Sequence, residues 1–189
     1  MNKTMEIYVL LTHTGTLFSR TIQLYTKDRV NHASIAFDRD LTEVYSFGRK
    51  NPNNPFIAGF VKENVRSEFF KHSTCALYKC EVSQNAYLNI RKQIHHMEQN
   101  QDRYKYNLFG LLGVMFNIEI EREHAYFCSQ FVASVFEQGG VSLVNKPPLF
   151  VTPGDLENAS KLELVYNGKL QSYTGCNEEL QTAGTFRTA

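Results

Sequence analysis

The chain has no apolar run long enough to cross a membrane, no marked excess of either charge, few cysteines, and no internal repeat or low-complexity stretch. Each of these absences narrows what it can be. A helical span needs roughly 18–20 consecutive apolar residues, whereas the apolar run near the amino terminus, Ile7-Tyr8-Val9-Leu10-Leu11, stops at Thr12. Preceded by Glu6, it is also too short and too weakly flanked for a secretory signal. The expectation is a cytoplasmic protein with no transmembrane segment. A formal net charge of +1 supplies no general pull toward nucleic acid or an anionic membrane. There is also no basic stripe interleaved with stacking aromatics, so no nucleic-acid partner is expected and the 10 Tyr and 14 Phe are read as core. Four cysteines, Cys75, Cys80, Cys128 and Cys176, are too sparse for a disulfide scaffold, and without a secretory signal they are expected to stay reduced. Cys75 and Cys80 fall in a strand that would point them to opposite faces, which disfavours a metal site. No cofactor is implied.

What is present is ordinary globular material, 42% hydrophobic and 21% charged. The length of 189 residues fits one domain, read as residues 1–175, with a loosely held tail over 176–189. A strand is predicted over Glu6 to Thr12 and a helix over Thr16 to Tyr25. The alternating stretch from His32 to Phe37 predicts a strand in which Ser34 and Ala36 share the face of His32. Asp38-Arg39-Asp40 reads as a turn, with Thr42 to Phe47 returning as the second arm of a hairpin. Three loop residues would place Ser46 opposite His32; two would place Phe47 there. A long loop is expected from Gly48 to Pro55, then an extended segment from Ile57 to Val65 and a strand from Cys75 to Val82. Ser83 reads as the cap of a helix whose apolar face is Ala86, Tyr87, Ile90, Ile94 and Met97, fading by Gln99. Leu108 to Phe116 predicts a short apolar helix, and Cys128 opens another that ends at Gly139-Gly140. Thr152 caps a further helix with Pro153 at its first position. Leu162 to Tyr166 and Lys169 to Tyr173, joined by Asn167-Gly168, predict a closing hairpin.

The chemistry concentrates in two places. Cys128 stands at the first turn of a helix and His32 opens a strand, and a thiol nucleophile needs both a helix amino end and an imidazole. Cys128 shares a helical stripe with Phe131, Val132, Val135 and Phe136, which suits a cleft-wall nucleophile and equally an inert buried thiol. Ser129 and Gln130 add polar groups to the same turn. The backbone N–H of Cys128 or Ser129 is suited to an oxyanion. Among the other histidines, His95 and His96 read as helix surface and His72 and His124 as residues of charged loops, while His13 ends a strand.

These motifs in this order, Asn31-His32-Ala33-Ser34-Ile35, Glu43-Val44-Tyr45-Ser46-Phe47-Gly48 and Tyr126-Phe127-Cys128-Ser129-Gln130-Phe131-Val132, resemble the circularly permuted papain-like branch of the NlpC-type cysteine peptidase superfamily. That branch is related to lecithin:retinol acyltransferase-like proteins. Val151-Thr152-Pro153-Gly154-Asp155-Leu156 and Leu162 to Gly168 are similar to it as well. The resemblance implies an α+β, permuted papain-like core in which the Cys128 helix packs on an antiparallel sheet or small barrel bearing His32. It implies a thiol hydrolase of amidase or peptidase type, with Cys128 as nucleophile and His32 as its base. A third polar residue on the following strand would orient the imidazole; relatives commonly carry His or Glu there. Ser46 is the choice here, with Tyr45 and Glu43 as alternatives. Substrates would be small peptides, cell-wall fragments, or other amino-acid-containing or acyl compounds. A lipid or thioester acyltransferase is the rival activity, with Leu108 to Phe116 as its greasy segment. A binding module that has lost the chemistry is the rival outside catalysis.

Overall fold

The structure, a computed structural model, describes residues 3–13, 30–51, 54–107 and 124–175. The predicted helices over 16–25 and 108–116, together with Cys176 and the tail, lie outside the described residues. Among the described residues the fold is α+β: one mixed eight-stranded sheet and three helices.

The strands are β1 (Thr4–His13), β2 (His32–Ala36), β3 (Val44–Asn51), β4 (Asn54–Glu63), β5 (Thr74–Ser83), β6 (Lys105–Tyr106), β7 (Ala125–Tyr126) and β8 (Glu163–Lys169). The helices are α1 (Gln84–Gln99), α2 (Cys128–Gln138) and α3 (Pro153–Glu157). Strand order is β7-β6-β4-β3-β2-β1-β5-β8, and all neighbours are antiparallel except β6 and β7. β1 is central and buried from Ile7 to Thr12, so its sequence is a continuous apolar run rather than an alternation. The period of two is still visible in what it touches. Ile7, Val9 and Leu11 join a core with Ile90, Ile94, Phe131, Val132, Val135 and Phe136 of α1 and α2. Tyr8 and Leu10 join a second cluster with Phe70, Leu170 and Tyr173.

The local signals for α1 and α3 hold. Ser83 Oγ accepts the Ala86 N–H at 3.2 Å, and α1 buries Ala86, Ile90, Ile94 and Met97. Thr152 and Asp155 cap α3 reciprocally: Asp155 N–H donates to Thr152 Oγ1 and Thr152 N–H to Asp155 Oδ2.

Three expectations are corrected. First, the hairpin between β2 and β3 is longer than a turn at 38–40. Phe37 N–H donates to the Glu43 carbonyl, leaving 38–42 as the loop. Asp38 holds it open, because its carboxylate accepts the N–H groups of Thr42 and Glu43. Leu41 adopts φ 59° to bury its side chain in the second cluster. Neither proposed register survives, since Ile35 pairs with Tyr45 and Ala36 with Val44. Continuing that register sets Ser46 beside Ser34 and Gly48 beside His32. Second, the long loop from Gly48 to Pro55 is mostly strand: β3 runs to Asn51, β4 starts at Asn54, and these two residues pair. Third, Asn167-Gly168 does not turn. Both lie within β8, opposite Ala76 and Cys75 of β5, where cross-strand pairing outweighs the local turn preference. Cys75 and Cys80 do lie on opposite faces, one in each cluster. No helix among the described residues is long and apolar enough to cross a membrane.

Candidate active site

His32 is the first residue of β2, and Cys128 is the first residue of α2, a helix that packs against β2 and β3. The two are near enough to interact, the Cys128 thiol helping to push the imidazole up. On its other side, His32 Nε2–H donates to Glu63 Oε1 at 2.7 Å. With Nε2 committed to Glu63, Nδ1 is the ring nitrogen left to face the sulfur. Two further donors converge on the carboxylate. Ser46 Oγ–H donates to Oε1 and Ser34 Oγ–H to Oε2, each at 2.7 Å.

Burial alone would depress the imidazole, but the Glu63 carboxylate and the contact with Cys128 outweigh it and push His32 up to about 10. Burial would raise Glu63 in turn; the His32 charge and the bonds from His32, Ser34 and Ser46 hold it below the usual carboxylate range. Both groups are therefore charged at neutral pH. The His32 side chain is 15% exposed and that of Glu63 8%, so the pair is largely shielded yet reachable from the imidazole side.

The start of α2 is fixed by bonds that leave its backbone donors in place. Gln130 Oε1 accepts the Phe127 N–H, and Ser129 Oγ–H donates to the Val151 carbonyl at 2.6 Å. Both polar side chains of this turn thus serve its architecture. The N–H groups of Cys128 and Ser129 belong to the first helical turn, where no intrahelical acceptor exists. Tyr106, on β6, is buried near Cys128; burial first, and then its neighbour Cys128, push its phenol well above its ordinary value, against the pull of Arg49.

The sequence-predicted residues separate cleanly. Cys128 and His32 come together. Ser46 is corrected: it bonds Glu63 rather than the imidazole, because the longer loop slides it two residues along β2, from His32 to Ser34. Tyr45 and Glu43 point elsewhere, Tyr45 hydroxyl donating to Glu43 and Glu43 accepting two bonds from Arg91. His13 is taken up by Asn31. Glu63 was missed. Its only local sign is an acid flanked at two-residue spacing by Val61 and Val65, which puts a carboxylate on an otherwise apolar face of an extended segment. Among the described residues no group of three or more His, Cys, Asp or Glu is placed to hold a metal ion.

No known family model matches this chain, and no curated protein sequence matches it.

Proposed function

We propose that this protein is a thiol hydrolase of amidase or peptidase type, built on a permuted papain-like core, with Cys128 as nucleophile, His32 as its acid–base partner and Glu63 as the residue that orients and charges the imidazole. The observation that carries this reading is the chain of contacts from the α2 amino end through His32 Nε2 to a buried carboxylate at 2.7 Å. It has the order of parts that nucleophilic catalysis needs: a nucleophile, a base within reach, and a third group fixing the base.

With His32 already holding the proton as imidazolium, the Cys128 sulfur attacks the acyl carbon as thiolate. The tetrahedral oxygen is received by the first-turn N–H groups of α2, where the helix dipole also favours negative charge. His32 then gives the proton to the leaving amine, and the C–N bond breaks. Water, losing a proton to His32, attacks the thioester and releases the acid. Glu63 stays ionised throughout and stabilises the imidazolium. Substrates are amide bonds of small peptides or cell-wall fragments.

Glu63 also bears on the rival outside catalysis. A module that had lost its chemistry would have no reason to keep a buried carboxylate, which is costly without its donors, against the imidazole. The acyltransferase reading depends on the apolar segment 108–116, outside the described residues. The test is mass spectrometry of intact protein incubated with activated amides and p-nitroanilides of N-acyl amino acids. An acyl adduct on Cys128 and turnover that vanishes in Cys128→Ala are expected. Turnover persisting in Cys128→Ala would refute the assignment.

A further inference from the structure

We propose that Ser34 and Ser46 are positioning residues that together fix the Glu63 carboxylate against His32. The proposal rests on the reading of Cys128 as a nucleophile and adds how the third member of the site is kept in its working state.

Both serines are fully buried, at 0% exposure. They come from neighbouring strands, with Glu63 on the next one out: Ser34 pairs with Leu10 on β1, and Ser46 with Val61 on β4. The residues around them, Ala33, Ile35, Ala36, Val44, Tyr45 and Phe47, are buried and contribute to the two apolar clusters. A hydroxyl in such a setting costs free energy unless it is bonded, and the acceptor that each finds is Glu63.

The division of labour is unequal. Oε1 receives both His32 and Ser46, whereas Ser34 is the hydrogen-bond donor shown for Oε2. A buried carboxylate with several donors stays ionised, and one stripped of them is driven to take up a proton. Once Glu63 is neutral or turned aside, the imidazolium loses its counter-charge. The proton then passes back to sulfur, and Cys128 reacts as an ordinary thiol. Ser34 and Ser46 thus act on the sulfur through two intermediates and touch neither it nor substrate.

The room they need is supplied by Gly48. A Cβ there would lie 3.2 Å from Ser46 Oγ, 3.3 Å from His32 Cε1 and 3.6 Å from Glu63 Oε1. Any side chain there would crowd Ser46 and His32, with Glu63 at ordinary contact distance.

The experiment is the pH profile of Cys128 alkylation by iodoacetamide, read by peptide mass spectrometry. It compares wild type, Ser34→Ala, Ser46→Ala and the double variant, each also in a Glu63→Gln background. With wild type reacting well below the free-cysteine range, the double variant is expected to shift the midpoint upward by about one pH unit, a roughly tenfold loss of rate near pH 6. Ser34→Ala should cause the larger share, and Ser34→Thr or Ser46→Thr, which keep the hydroxyl, should keep the wild-type midpoint. In the Glu63→Gln background the serine substitutions should add nothing. Should the double variant not fold, the single variants carry the same comparison. An unmoved midpoint overturns the proposal, and so does an equal shift in the Glu63→Gln background, which would mark a structural effect. A wild-type Cys128 that titrates as a free cysteine defeats the nucleophile reading itself, and the proposal with it.

Discussion

The His32–Glu63 pair ties the stability of the fold to pH, and the sign follows from which state holds the proton. His32 is pushed up from 6.5 to about 10 in the folded protein. In the unfolded chain the imidazole gives up its proton near its ordinary value, so between these limits unfolding releases a proton. The stabilisation from His32 is complete below 6.5 and is lost as pH rises toward 10. The loss runs at about 1.4 kcal/mol per pH unit while the folded state holds one proton more. Glu63 behaves oppositely. Held below its ordinary 4.5, it contributes above that value and loses its contribution as pH falls below it. Together they place the pair's greatest contribution between pH 4.5 and 6.5.

The cleanest background is Cys128→Ala, which takes the thiol out of the proton count. If two units of the rise at His32 survive there, the contribution falls by about 3 kcal/mol on the alkaline side, a large part of the roughly 5–15 kcal/mol that holds a domain together. Side chains 15% and 8% exposed leave little scope for solvent screening. Urea unfolding followed by circular dichroism, from about pH 5.5 to 9.5, compares Cys128→Ala with Cys128→Ala/His32→Gln. The curve that retains His32 should fall more steeply with pH, with the excess accumulating above about pH 6.5. Parallel curves would refute the claim that His32 keeps an extra proton in the folded state.

Other consequences are local. Gly48→Ala should slow Cys128 alkylation near neutral pH by about tenfold with a smaller effect on stability, because the new methyl must push His32 or Ser46 by a few tenths of an ångström; reactivity equal to wild type would contradict this. Glu43→Gln should leave Cys128 reactivity unchanged and cost about 1 kcal/mol or less in urea unfolding, since its partner Arg91 is 39% exposed. A change in the alkylation profile would mean that Glu43 acts on the site after all. Gly139→Ala should destabilise by about 1–3 kcal/mol in the same assay, because a Cβ would sit 2.5 Å from Ile90 Cγ1, where the end of α2 meets α1. An unchanged midpoint would show that the two helices are less tightly packed.

How much of this was legible in the sequence depended on whether the deciding signal was local. Ser83 before the stripe from Ala86 to Met97, and Thr152-Pro153 with Asp155, announce α1 and α3 because caps and their partners lie within one turn. The start of α2 at Cys128 and the strand at His32 were read from short motifs. The register of the hairpin was not legible, since it turns on the Asp38 carboxylate gathering two N–H groups and on Leu41 finding a distant cluster. Asn167-Gly168 carried a turn signal that β5 overrode by pairing through it. Glu63 was hidden for the same reason: it is 31 residues from His32, and only the pairing of β3 with β4 brings it under the imidazole. Correcting the loop by two residues preserved the parity of Ser46. It stayed on the face of His32 while its partner changed from the ring to the carboxylate.

Whether Cys128 and His32 form a working pair is decided by the pH dependence of iodoacetamide modification at each cysteine in wild type and His32→Ala. Cys75, Cys80 and Cys128 are all buried, so burial alone predicts that the three behave alike. Cys128 is expected to react far faster than the other two below about pH 7 and to lose that advantage in His32→Ala. A Cys128 as unreactive as Cys75 and Cys80, or one indifferent to His32→Ala, would contradict it.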